Sequence, residues 1–570
     1  MNLSRFSDPL ESFRPSAEQK VAPAADVPGV SGRSFWIGLL LVGLVCSGMY
    51  FYRLGDWPWD VDELSSLEEM GLLDPEIRSL QHPPDSIVVR LPRLVPVWYG
   101  VQKSLLRGLP QTEWGSRVLS AVCAAAAVMA LYGWGWRWRG TRFAAALAIL
   151  SGGSLLMVWL AQQNRFYTMA LLWIVLAMAA IWAQSKHWAW GATAAGLTLL
   201  AVLTHNVAIV LFGLQAVAAA TAWILGWSRP ACAIRALLTG AIAAGMYLFH
   251  VRPIAGSWTG VGLSWAPPWA SFVAHVGMPT VVLALVGSVL ALLAAPQRRQ
   301  MAVWAGLTLG VLLFVLLVPW LMPVWNPRYS LLWVLPLWVT GAFAVETMVA
   351  ALIRWASAGP ADWAESSGSI GSGESEAGAT WESTGTQPSL ALSTGGADTA
   401  CRGKAGRFLP GLLMLCCYGG LVLLLSPKWL SHWIDGTRHD YRQAADFVAN
   451  FSQHFLPEKP STGQPPRAAA PRIPILTNME LQMRYYLPKE FRSACRYWAP
   501  PMALPEGSCV VVLGGNGWEE PFHVPGRTVQ WIGLVGRRRF DELAHAIRIY
   551  WVGPGQPIQH ADDSRSRLPP

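Results

Sequence analysis

The apolar stretch SFWIGLLLVGLVCSGMYFYRL, residues 34–54, places this chain among membrane proteins. Arg53, near its end, is its only charged residue, and a helix that crosses a bilayer needs about 20 mostly apolar residues. Residues 1–33 are polar and contain neither a short apolar core nor a small-residue cleavage site. The stretch therefore predicts an uncleaved membrane anchor, preceded by a cytoplasmic N-terminal tail over residues 1–33.

The composition of the whole chain points the same way. Of 570 residues, 53% are hydrophobic and only 14% are charged, with 32 Trp and a mean hydropathy of +0.33. These values are typical of a multi-spanning membrane protein in contact with the lipid bilayer. The net charge of +9 falls in short clusters between apolar runs and forms no basic stripe, which argues against a nucleic-acid partner.

The length of each apolar run predicts about eleven transmembrane helices. They cover residues 34–54, 116–136, 142–160, 166–184, 188–204, 207–227, 232–250, 270–295, 301–322, 329–352 and 408–426. Lys and Arg concentrate in cytoplasmic loops of membrane proteins. With a cytoplasmic N-terminus, each loop on that side is basic, and the residues are Arg137, Arg139, Arg142, Lys186, Arg229, Arg235, Arg298, Arg299, Arg354, Arg402, Lys404 and Arg407.

The remaining segments divide the chain further. Residues 34–353 form the predicted transmembrane domain, and residues 354–407 are rich in Gly, Ser, Thr and Glu, which predicts a disordered cytoplasmic linker. After the last span, 408–426, residues 427–570 combine helical and strand patterns and predict a small extracytoplasmic α/β domain. Its two cysteines, Cys495 and Cys509, could form a disulfide in an oxidising compartment or remain two thiols.

The first outer loop, residues 55–115, is strongly acidic near its start. Asp60, Asp62 and Glu63 lie close to the membrane surface beside Trp57 and Trp59. Burial raises the pKa of a carboxyl unless a cation or hydrogen-bond donor compensates, and such a position suits a general base. A calcium loop of the EF-hand type is excluded, because the required Gly and the twelfth-position Glu are absent from the register that begins at Asp60.

Cations are predicted on the same outer edge. Arg165 opens the fourth span, His205 follows the fifth, and Arg328 opens the tenth. Positive residues outside run against the usual bias, and Arg matches the geometry of a phosphate or carboxylate. The alternatives are snorkelling to the interface and a structural pair with a loop acid. Ionisable residues within the predicted spans are almost absent, with His275 and Glu346 as the clear cases.

The ordered set of motifs resembles the membrane glycosyltransferases of the GT-C superfamily. It comprises Asp62-Glu63, HPP at residues 82–84, WGSRVLSAV at 114–122, QQNRFYTMALL at 162–172 and RYSLLWVLPLW at 328–338. The likeness is greatest to protein O-mannosyltransferases, lipid A aminoarabinose transferases and bacterial lipopolysaccharide-core transferases. DYRQAADFV at 440–448 and PILTNMELQMRYYLP at 474–488 are similar to the outer domain of bacterial members. The WWD signature of oligosaccharyltransferases is absent.

The resemblance implies an enzyme of the inner (plasma) membrane that transfers a sugar from a polyprenyl-phosphate donor to a lipid, glycan or protein acceptor. Asp62 would be the general base, and Glu63 would bind acceptor or sugar or orient Asp62. Arg165 and Arg328 would bind the phosphate. The cleft would also include Asp60, Tyr167, His205 and His82. HPP is followed by Asp-Ser-Ile where the family often has a lysine, so Lys103 is the substitute candidate.

Two alternatives remain open at this point. Asp60-Val61-Asp62 spells D-x-D, a pattern that holds a divalent cation in soluble nucleotide-sugar transferases, so a metal at Asp60 and Asp62 is one hypothesis. A polytopic transporter or lipid flippase of the envelope is the other functional class. It predicts ionisable groups near the midplane and paired discontinuous helices, and the sequence shows neither.

Overall fold

The computed structural model describes residues 32–74, 77, 92–183, 187–255, 268–293, 299–321, 327–357, 404–435, 440–454, 473–498, 502–514, 524, 527–535 and 547–553. Almost all of the predicted N-terminal tail, most of the predicted linker and His82 lie outside these residues.

Helices dominate the part of the chain that was predicted to lie in the membrane. Backbone groups have no water partners in lipid, so apolar segments satisfy their hydrogen bonds within helices. In chain order the helices are α1 (Gly32–Phe51), α2 (Val61–Glu69), α3 (Pro96–Leu106), α4 (Glu113–Arg139), α5 (Thr141–Gly152), α6 (Leu155–Ala161), α7 (Tyr167–Ile181), α8 (Ala189–Thr204), α9 (Ala208–Ile224) and α10 (Pro230–Met246). They continue with a π-helical turn (Tyr247–Val251), α11 (Arg252–Ala255), α12 (Pro268–Val276), α13 (Met278–Leu293), α14 (Arg299–Leu321), a 3-10 turn (Pro327–Tyr329), α15 (Ser330–Trp333), α16 (Leu335–Ser357) and α17 (Lys404–Asp435).

Several of these helices have the length and composition of membrane spans. Among the described residues five qualify singly, and seven qualify if each of two bent helix pairs counts as one span. Four shorter apolar helices accompany them, at Tyr167–Ile181, Ala189–Thr204, Ala208–Ile224 and Gly411–Pro427. Every predicted span overlaps one of these helices or bent pairs. The number of bilayer crossings stays a prediction.

The two bent pairs correct the prediction that discontinuous helices are absent. Helices α5 and α6 meet at 59°, and Ser154 caps α6 by accepting a hydrogen bond from the Met157 amide at 3.2 Å. Helices α12 and α13 meet at 96° around Gly277, whose φ of +95° favours glycine. Hydropathy does not register such bends, because the residues on both sides of each break are equally apolar.

Small residues allow the membrane helices to pack closely. A Cβ atom added at Gly287 in α13 would lie 1.8 Å from the carbonyl oxygen of Thr340 in α16, so only glycine fits this crossing. At the opposite end of the bundle from the first loop, Arg139 Nε donates to Glu346 Oε2 at 2.8 Å. One of the two ionisable residues predicted within spans is therefore ion-paired.

Residues after 440 form a small α/β unit. Helix α18 (Tyr441–His454) is followed by β1 (Ile475–Thr477), α19 (Glu480–Tyr486), α20 (Lys489–Arg492), β2 (Cys495–Tyr497), β3 (Cys509–Gly514), β4 (Thr528–Val535) and β5 (Ile547–Gly553). The sheet order is β2-β1-β3-β5-β4. Strands β2, β1 and β3 are parallel, whereas β5 runs antiparallel to both β3 and β4. The helical and strand patterns predicted for residues 427–570 are present in this unit, with α18 covering the helical pattern of YRQAADFVANF and β3 the apolar run CVVVLG.

Cys495 and Cys509 are both free thiols, which corrects the disulfide alternative. Cys495 lies on β2 and Cys509 on β3, and β1 separates these two strands in the sheet. Neighbouring strands are about 4.8 Å apart, so two intervals place the backbones beyond the roughly 7 Å limit for a disulfide.

Candidate active site

Helix α2 begins at Val61 because Asp60 and Glu63 form a reciprocal cap. The Asp60 carbonyl accepts a hydrogen bond from the Glu63 amide at 3.0 Å, and Glu63 Oε2 accepts one from the Asp60 amide at 2.9 Å. The second of these bonds is the one that the Glu of a capping box makes to the residue that caps the helix. The cap places Asp62 in the first turn of α2, and the side chain of Asp60 is directed elsewhere.

Arg117, on α4, connects the first loop to the apolar helices. It is fully buried, and its Nε and Nη2 donate to Glu63 Oε1 and Oε2, each at 3.0 Å. The same guanidinium donates to the carbonyls of Leu54, Trp57 and Pro58 at 2.9, 2.9 and 3.1 Å. The WGSRVLSAV motif, which contains Arg117, contributed to the family resemblance, but no role for Arg117 was predicted from the sequence.

Glu63 links three segments of the chain. Besides Arg117 and the Asp60 amide, its Oε1 accepts a hydrogen bond from the Asn164 amide at 2.6 Å. Both carboxylate oxygens are thus used inside the protein, and the residue is 1% exposed. This geometry disfavours the alternative that Glu63 binds acceptor or sugar and favours the alternative that it orients Asp62. Glu63 directly follows Asp62 in the chain, and Asn164 directly precedes Arg165. The bond between Glu63 and the Asn164 amide therefore holds the backbones next to Asp62 and Arg165 together.

Arg328 joins the two aspartates of the D-x-D sequence. Its Nη1 donates to Asp62 Oδ2, and its Nη2 donates to Asp60 Oδ2 at 2.6 Å. The guanidinium also lies over the ring of Trp159, at 5.4 Å from the centroid. Arg328, which was predicted to bind a phosphate, therefore forms an ion pair with Asp62, the predicted base.

Arg165 reaches the same carboxylate from the turn between α6 and α7. Its Nη2 lies 3.9 Å from Asp62 Oδ2, and its Nη1 donates to the Asp62 carbonyl at 3.0 Å and to Ser66 Oγ at 2.9 Å. The guanidinium stacks over Phe166 at 4.6 Å. The structure therefore brings Asp60, Asp62, Arg165 and Arg328 into one cluster.

The electrostatic balance keeps Asp62 ionised. Burial raises the pKa of its carboxyl, but the positive charges of Arg165 and Arg328 outweigh burial and hold the pKa below its usual value. About 38% of the side-chain surface is accessible. Among the described residues no hydrogen bond reaches Oδ1, so this oxygen faces outward while Oδ2 is held by the arginines.

An aromatic group surrounds His205 beside these arginines. The imidazole lies 4.6 Å from the ring of Phe166, 5.0 Å from Tyr167 and 5.5 Å from Tyr329, measured between centroids. Tyr167 and His205 are buried, at 2% and 4% exposure. Both predicted cleft residues therefore adjoin the cluster.

Helix α3 turns Trp98, Tyr99 and Gln102 inward, whereas Lys103 lies on the exposed face of the same helix. Gln102 supports the site, because its Nε2 donates to Asn164 Oδ1 at 2.8 Å. Contact of Lys103 with a donor stays a prediction, and His82 lies outside the described residues.

The arrangement does not suit a divalent cation at Asp60 and Asp62. The Arg328 guanidinium bridges the two carboxylates. It therefore occupies the position between them at which a shared metal ion would bind. Within the described residues there is no group of three or more His, Cys, Asp or Glu side chains that could hold a metal. The two carboxylates are neutralised by an internal cation.

Sequence reasoning also missed Glu69, two turns along α2 from Asp62. Tyr99 donates its hydroxyl proton to Glu69 Oε2, and among the described residues the buried Oε1 makes no hydrogen bond. Burial raises the pKa of Glu69 to about 7, more than the bond from Tyr99 lowers it. The loop composition contained the only signal, an acid at helical spacing from Asp62, and it did not distinguish Glu69 from Glu68.

The C-terminal unit contacts the first loop next to the site. The Tyr486 hydroxyl accepts a hydrogen bond from the Trp59 amide at 2.7 Å and donates to Glu113 Oε1 at 3.0 Å. Arg442 Nη2 pairs with the same Glu113 oxygen at 2.7 Å. The rings of Tyr485 and Trp59 lie 4.7 Å apart. Helix α19 is thereby fastened to the loop that carries Asp62.

The comparison with solved structures concerns the fold of the chain. The fold is similar to that of ArnT from Cupriavidus metallidurans in the apo state, with 13% identity and a TM-score of 0.46, and bound to undecaprenyl phosphate, with 10% identity and a TM-score of 0.45. Each comparison covers 91% of this chain and 98% of the other. The apo oligosaccharyltransferase of Archaeoglobus fulgidus gives 10% identity and a TM-score of 0.45, over 83% of this chain and 65% of that chain.

The sequence comparisons found no relatives. No protein-family model matches the chain, and no curated protein matches it. The resemblance read from the sequence motifs is thus accompanied by a likeness of fold, but identities and TM-scores this low transfer no residue role and no substrate.

Proposed function

We propose that this chain is an integral membrane glycosyltransferase that moves a sugar from a polyprenyl-phosphate donor to an acceptor at the outer face of the membrane. The observation that supports this most directly is the convergence of Asp62, Arg165 and Arg328, which come from three distant segments. A partly accessible carboxylate beside two guanidinium groups is the set of groups that a transfer from a phosphate needs.

The arginines bind the donor phosphate. Guanidinium groups bind phosphate oxygens with paired hydrogen bonds, and they stabilise the charge that grows on the phosphate as its bond to the anomeric carbon breaks. In the arrangement described here Arg328 binds Asp60 and Asp62. The incoming phosphate therefore competes with these two carboxylates for the same cation.

Asp62 is the general base. Its outward oxygen takes the proton of the acceptor hydroxyl or amine as that group attacks the anomeric carbon. When Arg328 shifts toward the phosphate, Asp62 loses part of the positive field that lowers its pKa, and it becomes a stronger base. One displacement assisted by one base inverts the anomeric carbon, and no second carboxylate is needed as nucleophile.

The proposed topology combines the basic loops with these contacts. The basic loops favour a cytoplasmic N-terminus and eleven crossings of the inner membrane, with the first loop on the outer face. The bonds of Tyr486 and Arg442 to Trp59 and Glu113 support a C-terminal unit, residues 427–570, on the same side as that loop. Residues 34–353 are then the catalytic domain and residues 354–407 a cytoplasmic linker.

The acceptor approaches beside the C-terminal unit. Arg442 in the first turn of α18 pairs with Glu113, and Tyr486 at the end of α19 accepts a hydrogen bond from the Trp59 amide. Both helices therefore contact the loop that carries Asp62. A lipid, glycan or protein acceptor that reaches Asp62 from this side passes α18 and α19.

A transporter or lipid flippase is the second candidate, and the two bent helix pairs are the observation in its favour. The clustered charges described above lie at the first loop, and Glu346 is neutralised by Arg139. A flippase requires neither a base nor an accessible carboxylate oxygen at this place.

Asp62→Asn tests the proposal in vesicles that contain the purified full chain and a polyprenyl-phosphate sugar. We expect a loss of transfer of roughly 10² to 10⁴-fold, because Asn accepts no proton. Asp56→Asn is the matched control, since Asp56 lies in the same loop and is half exposed, paired with Arg53. Movement of a fluorescent polyprenyl phosphate between leaflets is measured in parallel. Unchanged sugar transfer in Asp62→Asn contradicts the proposal, and lost lipid movement in that variant supports the flippase.

A further inference from the structure

Three buried N–H groups around the two arginines make no hydrogen bond within the described residues. They are Trp159 Nε1 on α6, Arg165 Nε in the following turn and His205 Nε2 just after α8. A buried donor without an acceptor is costly, and such groups in folded proteins usually meet a ligand or water. Trp159 lies against the Arg328 guanidinium, and the His205 ring contacts Phe166, the chain neighbour of Arg165. Unbonded donors beside two guanidinium groups indicate a site for an oxygen-rich anion.

His205 has a defined protonation state. Its Nδ1 accepts a hydrogen bond from the Val207 amide at 3.2 Å, so the single proton of the neutral ring is on Nε2. Burial and then the charge of Arg165 lower its pKa to about 3. The imidazole therefore stays neutral at physiological pH and presents a fixed N–H donor.

The orientation of this donor is also restricted. Phe166, Tyr167 and Tyr329 contact the imidazole ring from different sides, at centroid distances of 4.6 to 5.5 Å. Two of these aromatic residues are the chain neighbours of Arg165 and Arg328. Any group bound by the two guanidinium groups is consequently next to the aromatic residues that hold His205.

We propose that His205 is a binding residue whose Nε2–H donates a hydrogen bond to a phosphate oxygen of the lipid-linked donor. The inference rests on the proposed function and adds a residue to its donor site. A phosphate has more lone pairs than two guanidinium groups use, so a third donor satisfies an oxygen that would otherwise be buried. A neutral donor does this without the desolvation cost of a third cation.

The experiment compares two variants of the full chain in lipid nanodiscs. His205→Leu removes the donor, and His205→Gln keeps an N–H group at nearly the same reach. His187→Leu is the matched control, because His187 precedes the other end of α8. Each protein is titrated with undecaprenyl phosphate and, separately, with undecaprenol, and its melting temperature is recorded.

We expect His205→Leu to bind undecaprenyl phosphate roughly tenfold or more weakly than the unmodified protein, with no change for undecaprenol. His205→Gln should retain most of the affinity. If His205→Leu binds undecaprenyl phosphate as tightly as the unmodified protein does, the inference is wrong. It is also wrong if the variant loses equal affinity for undecaprenyl phosphate and for undecaprenol. That outcome would indicate that His205 acts by packing, with its N–H against an aromatic ring. If the unmodified protein does not prefer the phosphate over the alcohol, the proposed donor class itself is wrong.

Discussion

Arg328 and Asp62, which are 266 positions apart in the chain, form an ion pair, and the same guanidinium binds Asp60. Arg328, which was predicted to bind a phosphate, is thus held by Asp62, the predicted base, and by Asp60, the residue just before helix α2. The pair has two consequences. It keeps Asp62 ionised. Under the proposed function, a donor phosphate that binds Arg328 also frees Asp62 from this ion pair.

Replacement of Arg328 tests this exchange. Arg328→Gln removes the charge that binds both carboxylates and the phosphate, so we expect the rate constant for sugar transfer to fall about 10² to 10³-fold. Arg328→Lys keeps the charge but cannot form the planar bridge between two carboxylates. Its transfer rate should therefore lie between that of the unmodified protein and that of Arg328→Gln. Steady-state transfer assays measure both values. Rates in Arg328→Gln equal to those of an Arg53→Gln control would argue against any role of Arg328 in catalysis.

Arg117 is expected to control stability through Glu63. Arg117→Met leaves the Glu63 carboxylate buried and without its main cation, which should lower the free energy of unfolding by about 3 to 5 kcal/mol. Adding Glu63→Gln should recover part of this loss, because the buried charge is then removed. Thermal unfolding in detergent measures the difference. A double variant less stable than Arg117→Met alone would show that the pair does not act in this way.

Metal removal should leave transfer unchanged. Arg328 occupies the position between Asp60 and Asp62 that a divalent cation would require. We therefore expect the transfer rate to be the same before and after treatment with a chelator. Activity that disappears with the chelator and returns with Mg²⁺ or Mn²⁺ would mean that the carboxylates rearrange around a metal.

Glu69 should make stability depend on pH. Its pKa in the folded protein is about 7, above the ordinary value of 4.5, so the folded state binds more protons than the unfolded state between these values. The contribution of Glu69 to stability therefore falls as pH rises through this interval. Glu69→Gln should raise the melting temperature at pH 8 by roughly 2 to 5 °C and leave it unchanged below pH 4.5.

The comparison for Glu69 uses Asp74→Asn, which removes one negative charge from the same loop. Melting curves are recorded in the same detergent at both pH values. A gain in Glu69→Gln that is equal at low and high pH would reflect helix propensity or packing, and the raised pKa would then be the wrong explanation.

Local properties of the sequence were sufficient for the helices and for the acidic loop. A run of about 20 apolar residues is helical in lipid whatever its neighbours are, because no other conformation satisfies its backbone. The spacing of Asp60 and Glu63 is also a local property, because a polar residue and a Glu three positions later are typical of a helix start. The strands β1 and β3 were predictable from another local property, because short continuous apolar runs are typical of buried strands.

Pairings between distant residues were not available from local patterns. The sequence predicted that Arg165 and Arg328 bind a phosphate, with a structural pair to a loop acid as an alternative. Which acid they meet depends on how α2, the turn before α7 and the 3-10 turn come together. Other features also depended on the tertiary structure. They are the role of Arg117, the exposure of Lys103, the helix bends at Ser154 and Gly277, and the strand that lies between those of Cys495 and Cys509. Hydropathy and spacing are properties of neighbours in the chain, whereas charge pairing and strand order are properties of neighbours in space. The chemistry of this site therefore follows from packing that brings residues 100 or more positions apart into contact.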